Sequence, residues 1–177
     1  MNKRQFLNAG FSTLLASAFP TVSSAWAIND ARSIKVFNVH NQELVNVVYW
    51  RNGYYQPEGL QSLNYFFRDW RNNTQYRIEP SLFDILHSIQ VETKSDSSGL
   101  HLISGYRSPQ TNSLLRSRSS GVAKNSLHMK GLAADIRSPN VKLTTLRKAA
   151  ISLKEGGVGF YPKSNFVHVD TGTVRYW

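Results

Sequence analysis

Two short segments of this 177-residue chain place histidine and aspartate where they could act together. In "SLHMKGLAADIR", His128 precedes a glycine and Asp135 follows seven positions later, and in "FVHVD" His168 lies two residues before Asp170. Alternation along predicted strands puts Asp135 on the face opposite the apolar side chains and puts His168 and Asp170 on one face. Two imidazoles and a carboxylate from separate segments, with room left for water, form a minimal catalytic zinc site. The pattern therefore predicts that His128, Asp135 and His168 bind one zinc ion.

The remaining histidines lack an acidic partner in a comparable context. His40, His87 and His101 are therefore expected to be structural. His128 taken alone would be interpreted as a satisfied polar contact or a surface residue, and its pairing with Asp135 is what favours a ligand. Because the chain contains no cysteine, thiolate ligands are excluded and any metal must be held by His, Asp or Glu.

The elements that must position these residues follow from hydrophobic periodicity. The pattern predicts one α+β domain over residues 28–177, in which helices pack on a mainly antiparallel sheet that carries the zinc site. Prolines and small polar residues mark the beginnings of helices, and glycines mark turns. The predicted order is a hairpin (33–40 and 43–50), helices from Glu58 and after Pro80, a strand (100–104), a helix from Ser108-Pro109, a loop (117–126), a strand (132–137), a helix (143–154), a glycine-rich turn (155–163) and terminal strands (166–170 and 173–177).

The first 27 residues have the features of an export signal. "MNKRQF" gives a cationic start, an apolar stretch follows, and Ala25-Trp26-Ala27 matches an A-x-A cleavage site. The apolar stretch is shorter than the roughly 20 residues needed to span a bilayer, so we expect cleavage and no stable membrane insertion. "NKRQFLN" also resembles a twin-arginine signal with Lys3 in place of the first arginine, which leaves the export route open. The mature protein is expected to be exported from the cytoplasm.

The chain is strongly basic, with a formal net charge of +10. Removal of residues 1–27 leaves 19 basic and 11 acidic residues, a net charge of +8. Positive charge favours an anionic partner, which could be nucleic acid, anionic lipid or an acidic wall polymer. The basic residues are scattered and form no recognised nucleic-acid-binding pattern. Because the protein is expected to be exported and its basic residues are scattered, an acidic wall polymer is favoured over nucleic acid as the partner.

Four segments together resemble the zinc D-Ala-D-Ala metallopeptidases. They are the N-terminal hairpin, "SGYRS", "SLHMKGLAADI" and "GVGFYPKSNFVHVDTGTVRYW", and they span roughly residues 32–177. The family signature is Ser-x-His, six residues, Asp, and a later His on a strand. Within this family the chain looks most like the murein endopeptidases of Gram-negative periplasms.

This resemblance implies roles for five residues. His128, Asp135 and His168 become the zinc ligands, and Ser126 matches the serine of the Ser-x-His motif. Arg107, in "SGYRS", matches the arginine that holds a carboxylate or carbonyl of the substrate peptide. A guanidinium suits that role because its planar fork donates two parallel hydrogen bonds.

The resemblance does not identify the general base. Many relatives carry Glu or His shortly before the last ligand, where this chain has Asn165 and Phe166. Asp170 is the nearest carboxylate on the same strand face as His168. It could accept a proton from the attacking water, or it could support His168 and select its tautomer.

The implied function is a periplasmic zinc peptidase, with one zinc per chain, that cleaves peptidoglycan cross-links as an endopeptidase. Two alternatives use the same site: a carboxypeptidase that trims stem peptides, and a non-catalytic zinc-containing module that binds wall peptides. A closed four-ligand site would favour the module, whereas an open position would favour hydrolysis. A nucleic-acid or anionic-lipid binder is the third class, and it depends on charge alone.

Overall fold

The computed structural model describes residues 30–119 and 121–177. The predicted export signal, residues 1–27, lies outside this part of the chain. Among the described residues, none of the helices combines the length and the hydropathy that a membrane crossing requires.

One sheet runs through the described residues, and helices are inserted between groups of its strands along the chain. The strands are β1 (Ala31–Asn38), β2 (Leu44–Arg51), β3 (Tyr54–Tyr55), β4 (Leu100–Ser104), β5 (Ala133–Arg137), β6 (Gly157–Tyr161), β7 (Phe166–Asp170) and β8 (Arg175–Tyr176). Their order in the sheet is β3-β2-β1-β4-β5-β7-β6-β8. Among the strands that the structure describes, only β1 with β4 and β6 with β8 pair in parallel. The predicted α+β fold with a mainly antiparallel sheet is confirmed.

Proline marks the beginning of most helices. Of the four α-helices among the described residues, three have proline in the first turn, where the missing N–H has no helical partner to lose. The Ser108 hydroxyl caps the third helix by accepting a hydrogen bond from the backbone N–H of Thr111. The helices are α1 (Pro57–Phe66), α2 (Pro80–Glu92), α3 (Pro109–Arg118) and α4 (Leu143–Leu153).

The strands that carry the predicted ligands are anchored in the core by their alternate residues. Ala134 and Ile136 of β5 and Val167 and Val169 of β7 are buried in the main hydrophobic cluster, together with apolar side chains of α2 and α4. Truncating such a side chain, as in Ile136→Ala, typically lowers the free energy of unfolding by about 2–5 kcal/mol. The core therefore holds the opposite faces of β5 and β7 in place.

The glycine-rich turn predicted over residues 155–163 is wrong, because this segment contains β6. Its glycines are needed for close approach rather than for turning. A Cβ on Gly156 would lie 1.7 Å from the Asp170 carbonyl oxygen, and one on Gly159 would lie 2.7 Å from the Trp177 ring. The loop predicted over residues 117–126 also begins later than expected, because α3 extends to Arg118.

Candidate metal centre

Strands β5 and β7 place Asp135 and His168 side by side. The two residues are direct partners in the antiparallel register, so their side chains leave the same face of the sheet. That face is opposite to the one that buries Ala134 and Val167. The side chain of Asp135 is nevertheless only 4% exposed, because neighbouring segments cover it.

His128 reaches the same point from a short 3₁₀ helix, Leu127–Lys130. Gly131 ends this helix with φ of +68°, and a Cβ there would lie 2.3 Å from the Arg77 carbonyl oxygen, so the position requires glycine. The next residue, Leu132, donates its backbone N–H to the Leu127 carbonyl, and β5 begins directly after it. The imidazole Nδ1 of His128 donates to the Gly105 carbonyl at 2.7 Å. Because a carbonyl can only accept, the lone pair of the neutral ring lies on Nε2, which Arg107 Nη2 approaches at 3.3 Å.

Three donor atoms converge at this point. His128 Nε2 lies 3.2 Å from Asp135 Oδ1, His168 Nδ1 lies 2.8 Å from the same oxygen, and the two nitrogens are 3.2 Å apart. A tetrahedral zinc ion with ligand bonds of roughly 2.0–2.1 Å would hold its donors about 3.3 Å apart. The two-nitrogen, one-oxygen set and its spacing therefore fit zinc.

The electrostatics of the site suit metal ligands. Burial lowers the pKa of His128, and the Arg107 charge adds to this effect against the attraction of Asp135. Burial alone would raise the pKa of Asp135, but His128, His168 and Arg107 hold it below its usual range. His128 is therefore neutral and Asp135 ionised, which are the forms that bind a metal.

His168 differs from His128, because both of its ring nitrogens face carboxylates. Burial opposes its charge, but hydrogen bonds to Asp135 and Asp170 outweigh burial and raise the pKa of His168. A metal ion at Nδ1 would therefore compete with a proton for this atom. Metal binding at this site is accordingly expected to release a proton.

Asp170 lies behind His168, on the side of the ring away from the other two ligands. Its Oδ2 accepts from His168 Nε2 at 3.1 Å and from Arg175 Nη2 at 2.7 Å. Its Oδ1 accepts from the backbone N–H groups of Gly157 and Gly172 at 3.2 and 2.8 Å. The residue is 1% exposed, and these donors fill both oxygens. Of the two roles that the sequence left open, this placement favours support of His168 over proton transfer from water.

Arg107 and Ser126 both lie at the candidate metal centre. Arg107 Nη2 donates to Asp135 Oδ2 at 2.5 Å and its Nε donates to Ser104 Oγ at 2.9 Å. Ser126 immediately precedes the 3₁₀ helix that carries His128, and its carbonyl accepts from the Met129 N–H. The structure thus brings the predicted site residues together. Asp170 contacts His168 but lies on the far side of its ring from His128 and Asp135.

A cleft of about 490 Å³ opens over these ligands. Such a volume is typical of binding sites for small molecules and short peptides. Among the described residues that line it, Asp135 carries the only side-chain carboxylate. The other lining residues are His40, Arg71, Ile103, Ser104, Arg107, Leu115, Ser119, Gly121, Val122, Ala123, Asn125, Ser126, Leu127, His128, Tyr161, Ser164, Phe166, His168, Arg175 and Trp177.

The sequence indicated no functional role for most of the cleft lining, including His40, Arg71, Arg175 and Trp177. His40, expected to be structural, stacks on Trp70 and lines the cleft, as does Arg71. Arg175 and Trp177 come from the terminal "VRYW", and the Trp177 ring lies 5.5 Å from the His168 ring. The "VRYW" run belongs to the segments that carry the family resemblance, so it was the one available signal.

Comparison with known proteins identifies close relatives. The family profile described as peptidoglycan L,D-endopeptidase MepK matches residues 26–177. Peptidoglycan L,D-endopeptidase MepK of Escherichia coli is 43% identical over 177 residues, covering 99% of this chain and 97% of the relative. The probable peptidoglycan L,D-endopeptidase MepK of Haemophilus influenzae is 39% identical, covering 99% and 95% of the two chains. No solved structure gives a significant match.

Proposed function

The chain belongs to the family of the peptidoglycan L,D-endopeptidase MepK, and on that premise we propose which residues perform the cleavage. It is a peptidoglycan endopeptidase of a zinc-dependent peptidase family. We propose that it hydrolyses an L,D peptide bond in the wall at His128, Asp135 and His168. The observation that carries this assignment is the convergence of their three donor atoms within 2.8–3.2 Å beneath a cleft.

One zinc per chain would be held by His128 Nε2, Asp135 Oδ1 and His168 Nδ1. When bound, zinc lowers the pKa of a water molecule towards neutrality and polarises a scissile carbonyl. Among the described residues, no fourth His, Cys, Asp or Glu joins the cluster. A three-residue set leaves a position free, which favours hydrolysis over the closed site of a structural zinc module.

Hydrogen bonds on the far side of each imidazole orient the two histidine ligands. His128 is held through Nδ1 by the Gly105 carbonyl, and His168 is held through Nε2 by Asp170. Each contact places a proton on the outer nitrogen and directs the lone pair of the inner nitrogen towards the site. In this proposal Asp170 positions His168 and does not itself take the proton from water.

Arg107 is proposed to bind the substrate peptide. Its Nε and Nη2 are engaged by Ser104 and Asp135, whereas its Nη1 has no hydrogen-bond partner among the described residues. These remaining donors can meet a carbonyl or carboxylate oxygen of a peptide in the cleft. Ser126 lies in the cleft lining and is proposed to contact the same peptide.

Export of the protein is proposed from the sequence of residues 1–27. The family match begins at residue 26, which agrees with a mature protein that starts near Ile28. The proposed precursor therefore consists of a signal peptide, residues 1–27, and one zinc metallopeptidase domain, residues 28–177, which acts on its substrate in the periplasm. N-terminal sequencing of the periplasmic form tests this, and an intact Met1 on the active protein would contradict it.

Digestion of purified peptidoglycan by the mature protein tests the function. Mass analysis should show cross-linked fragments converted to monomers at an L,D bond, with loss of activity in chelator and recovery on adding zinc. His87→Ala, a histidine outside the cleft, should behave like the wild type. Removal of a terminal residue alone would indicate a carboxypeptidase, and binding of wall peptides without any product would indicate a non-catalytic module.

A further inference from the structure

The charged groups that line the cleft are not all paired. Three arginines line it, and two of them have carboxylate partners. Arg107 pairs with Asp135 at 2.5 Å and Arg175 pairs with Asp170 at 2.7 Å. Within residues 30–119 and 121–177, the Arg71 guanidinium has neither an ion pair nor a side-chain hydrogen bond. Arg71 is thus a cleft cation whose donors are unused by this part of the chain.

Aromatic stacking holds Arg71 at the cleft. Its guanidinium carbon lies 4.2 Å from the centre of the Trp70 ring, and Trp70 stacks on His40 with ring centres 4.1 Å apart. Both His40 and Arg71 line the cleft, while Trp70 supports them from behind. A cation–π contact uses none of the hydrogen-bond donors of the guanidinium, so Trp70 can hold Arg71 at the cleft while the N–H groups of Arg71 stay available to a ligand.

A buried carboxylate ties Arg71 to the segment that carries Arg107. Asp69 is fully buried, and its Oδ1 accepts from the backbone N–H of Arg71 at 3.2 Å. Its Oδ2 accepts from the backbone N–H and hydroxyl of Ser108, the residue after Arg107, at 2.9 and 2.8 Å. These contacts hold the two arginine-bearing segments in a fixed relation.

The electrostatic setting of Arg71 favours an added anion. Arg71 is an exposed residue, and partial desolvation at the cleft is the largest cause that lowers its pKa; the Asp69 charge opposes this, and the Arg107 charge lowers the pKa further. Because Asp69 already accepts from Arg71 N–H and Ser108, it does not pair with the guanidinium. An anion bound between the two arginines would relieve their mutual repulsion.

We propose that Arg71 binds a free carboxylate of the peptide in the cleft and thereby makes the enzyme selective for acidic wall peptides. A guanidinium and a carboxylate match through two parallel N–H···O bonds, which gives both attraction and orientation. This inference rests on the proposed function, because it takes the cleft to be the peptide-binding site. If the inference holds, Arg71 determines substrate specificity, in addition to the three metal ligands and the substrate-binding Arg107.

The test compares two forms of one substrate. Cross-linked muropeptides are used with their native carboxylates, and after carbodiimide coupling with ammonia has converted the carboxylates to amides. Wild type, Arg71→Gln and Arg71→Lys are compared with Arg51→Gln, whose exposed arginine on β2 does not line the cleft. Dissociation constants are measured on the chelator-treated chain, where no turnover occurs, and kcat/KM is measured on the zinc-loaded enzyme.

The wild type and Arg51→Gln should bind the native muropeptide about tenfold more tightly than the amidated one. Arg71→Gln should bind both forms alike with unchanged zinc content and melting temperature, and Arg71→Lys should recover part of the preference.

A wild-type preference that persists in Arg71→Gln would assign it to Arg107 and overturn the inference. Equal binding of both forms by the wild type would also overturn it. If Arg71 controls binding but the zinc-loaded wild type releases no product, the inference stands and the proposed peptidase function fails.

Discussion

Two arginine–aspartate pairs lie on opposite sides of the His168 ring, and they differ in what else their carboxylates contact. On the Nδ1 side, Asp135 pairs with Arg107, and on the Nε2 side, Asp170 pairs with Arg175. Both carboxylates are almost fully buried. The Arg107 side chain is 12% exposed and the Arg175 side chain is 44% exposed.

The second contacts of each carboxylate explain the difference in role. Asp135 Oδ1 faces two imidazole nitrogens, whereas both oxygens of Asp170 are filled by backbone N–H groups, Arg175 and His168. Asp135 Oδ1 can therefore share a metal ion with the two imidazole nitrogens, whereas the N–H groups around Asp170 leave no position for one. The same residue pair can therefore make a metal ligand on one side of a ring and a support on the other.

Loss of a ligand on the Asp135 side should have the largest effect. Replacing His128, Asp135 or His168 with Ala removes one of three donors, so zinc affinity and hydrolysis should fall by well over the roughly 100-fold seen when a supporting residue is lost. Zinc content by atomic absorption and peptidoglycan digestion measure both effects. His87→Ala should leave both nearly intact, and stoichiometric zinc in Asp135→Ala would contradict the assignment.

Asp170→Asn should have the next largest effect, through the tautomer of His168. The amide nitrogen can donate to Nε2, which favours the tautomer with a proton on Nδ1, the atom that would bind the metal. Zinc affinity should fall by roughly 10–100-fold. Competition with a chromophoric chelator measures it. Unchanged affinity with turnover reduced by about 10²–10⁴ would instead identify Asp170 as the general base.

Arg107→Lys separates charge from geometry on the Asp135 side. Lysine keeps the positive charge but loses the planar fork that serves Ser104, Asp135 and a substrate oxygen together. We expect zinc to remain bound and kcat/KM to fall by about tenfold, which is the range for one hydrogen bond to a charged group. Steady-state kinetics on a muropeptide measures this, and wild-type values would remove Arg107 from substrate binding.

Arg175→Lys should have the smallest effect of the four. Arg175 is substantially exposed, and exposed ion pairs contribute about 0.2–1 kcal/mol. Asp170 also keeps its hydrogen bonds from Gly157 and Gly172. Zinc affinity should therefore change by less than about fivefold. A loss as large as that of Asp170→Asn would show that Arg175, and not the backbone, holds the carboxylate.

Much of this arrangement was predictable from local sequence. Strand alternation correctly placed Asp135 opposite Ala134 and Ile136, and it placed His168 and Asp170 on one face of β7. Proline and serine correctly marked the beginning of α3. These features depend on neighbours within a few residues, so their signal lies in the segment itself.

The remaining features depend on contacts between distant segments. The register that aligns Asp135 with His168 joins residues 33 apart, and the Gly105 carbonyl that orients His128 lies 23 positions earlier. The glycines of β6 resemble a turn in sequence because the Trp177 ring that they accommodate comes from the end of the chain. The sequence also did not indicate that Arg71 lines the cleft, because its position there depends on the contacts of Asp69 with Arg71 and Ser108.

Anomalous diffraction at the zinc absorption edge tests the central claim most directly. Crystals of the zinc-loaded mature protein should show one strong peak, roughly 2.0–2.2 Å from His128 Nε2, Asp135 Oδ1 and His168 Nδ1. Asp170 should still contact His168 Nε2, on the far side of the ring from the metal. A peak beside Asp170 and His168 Nε2, or no peak among the three predicted ligands, would contradict the account.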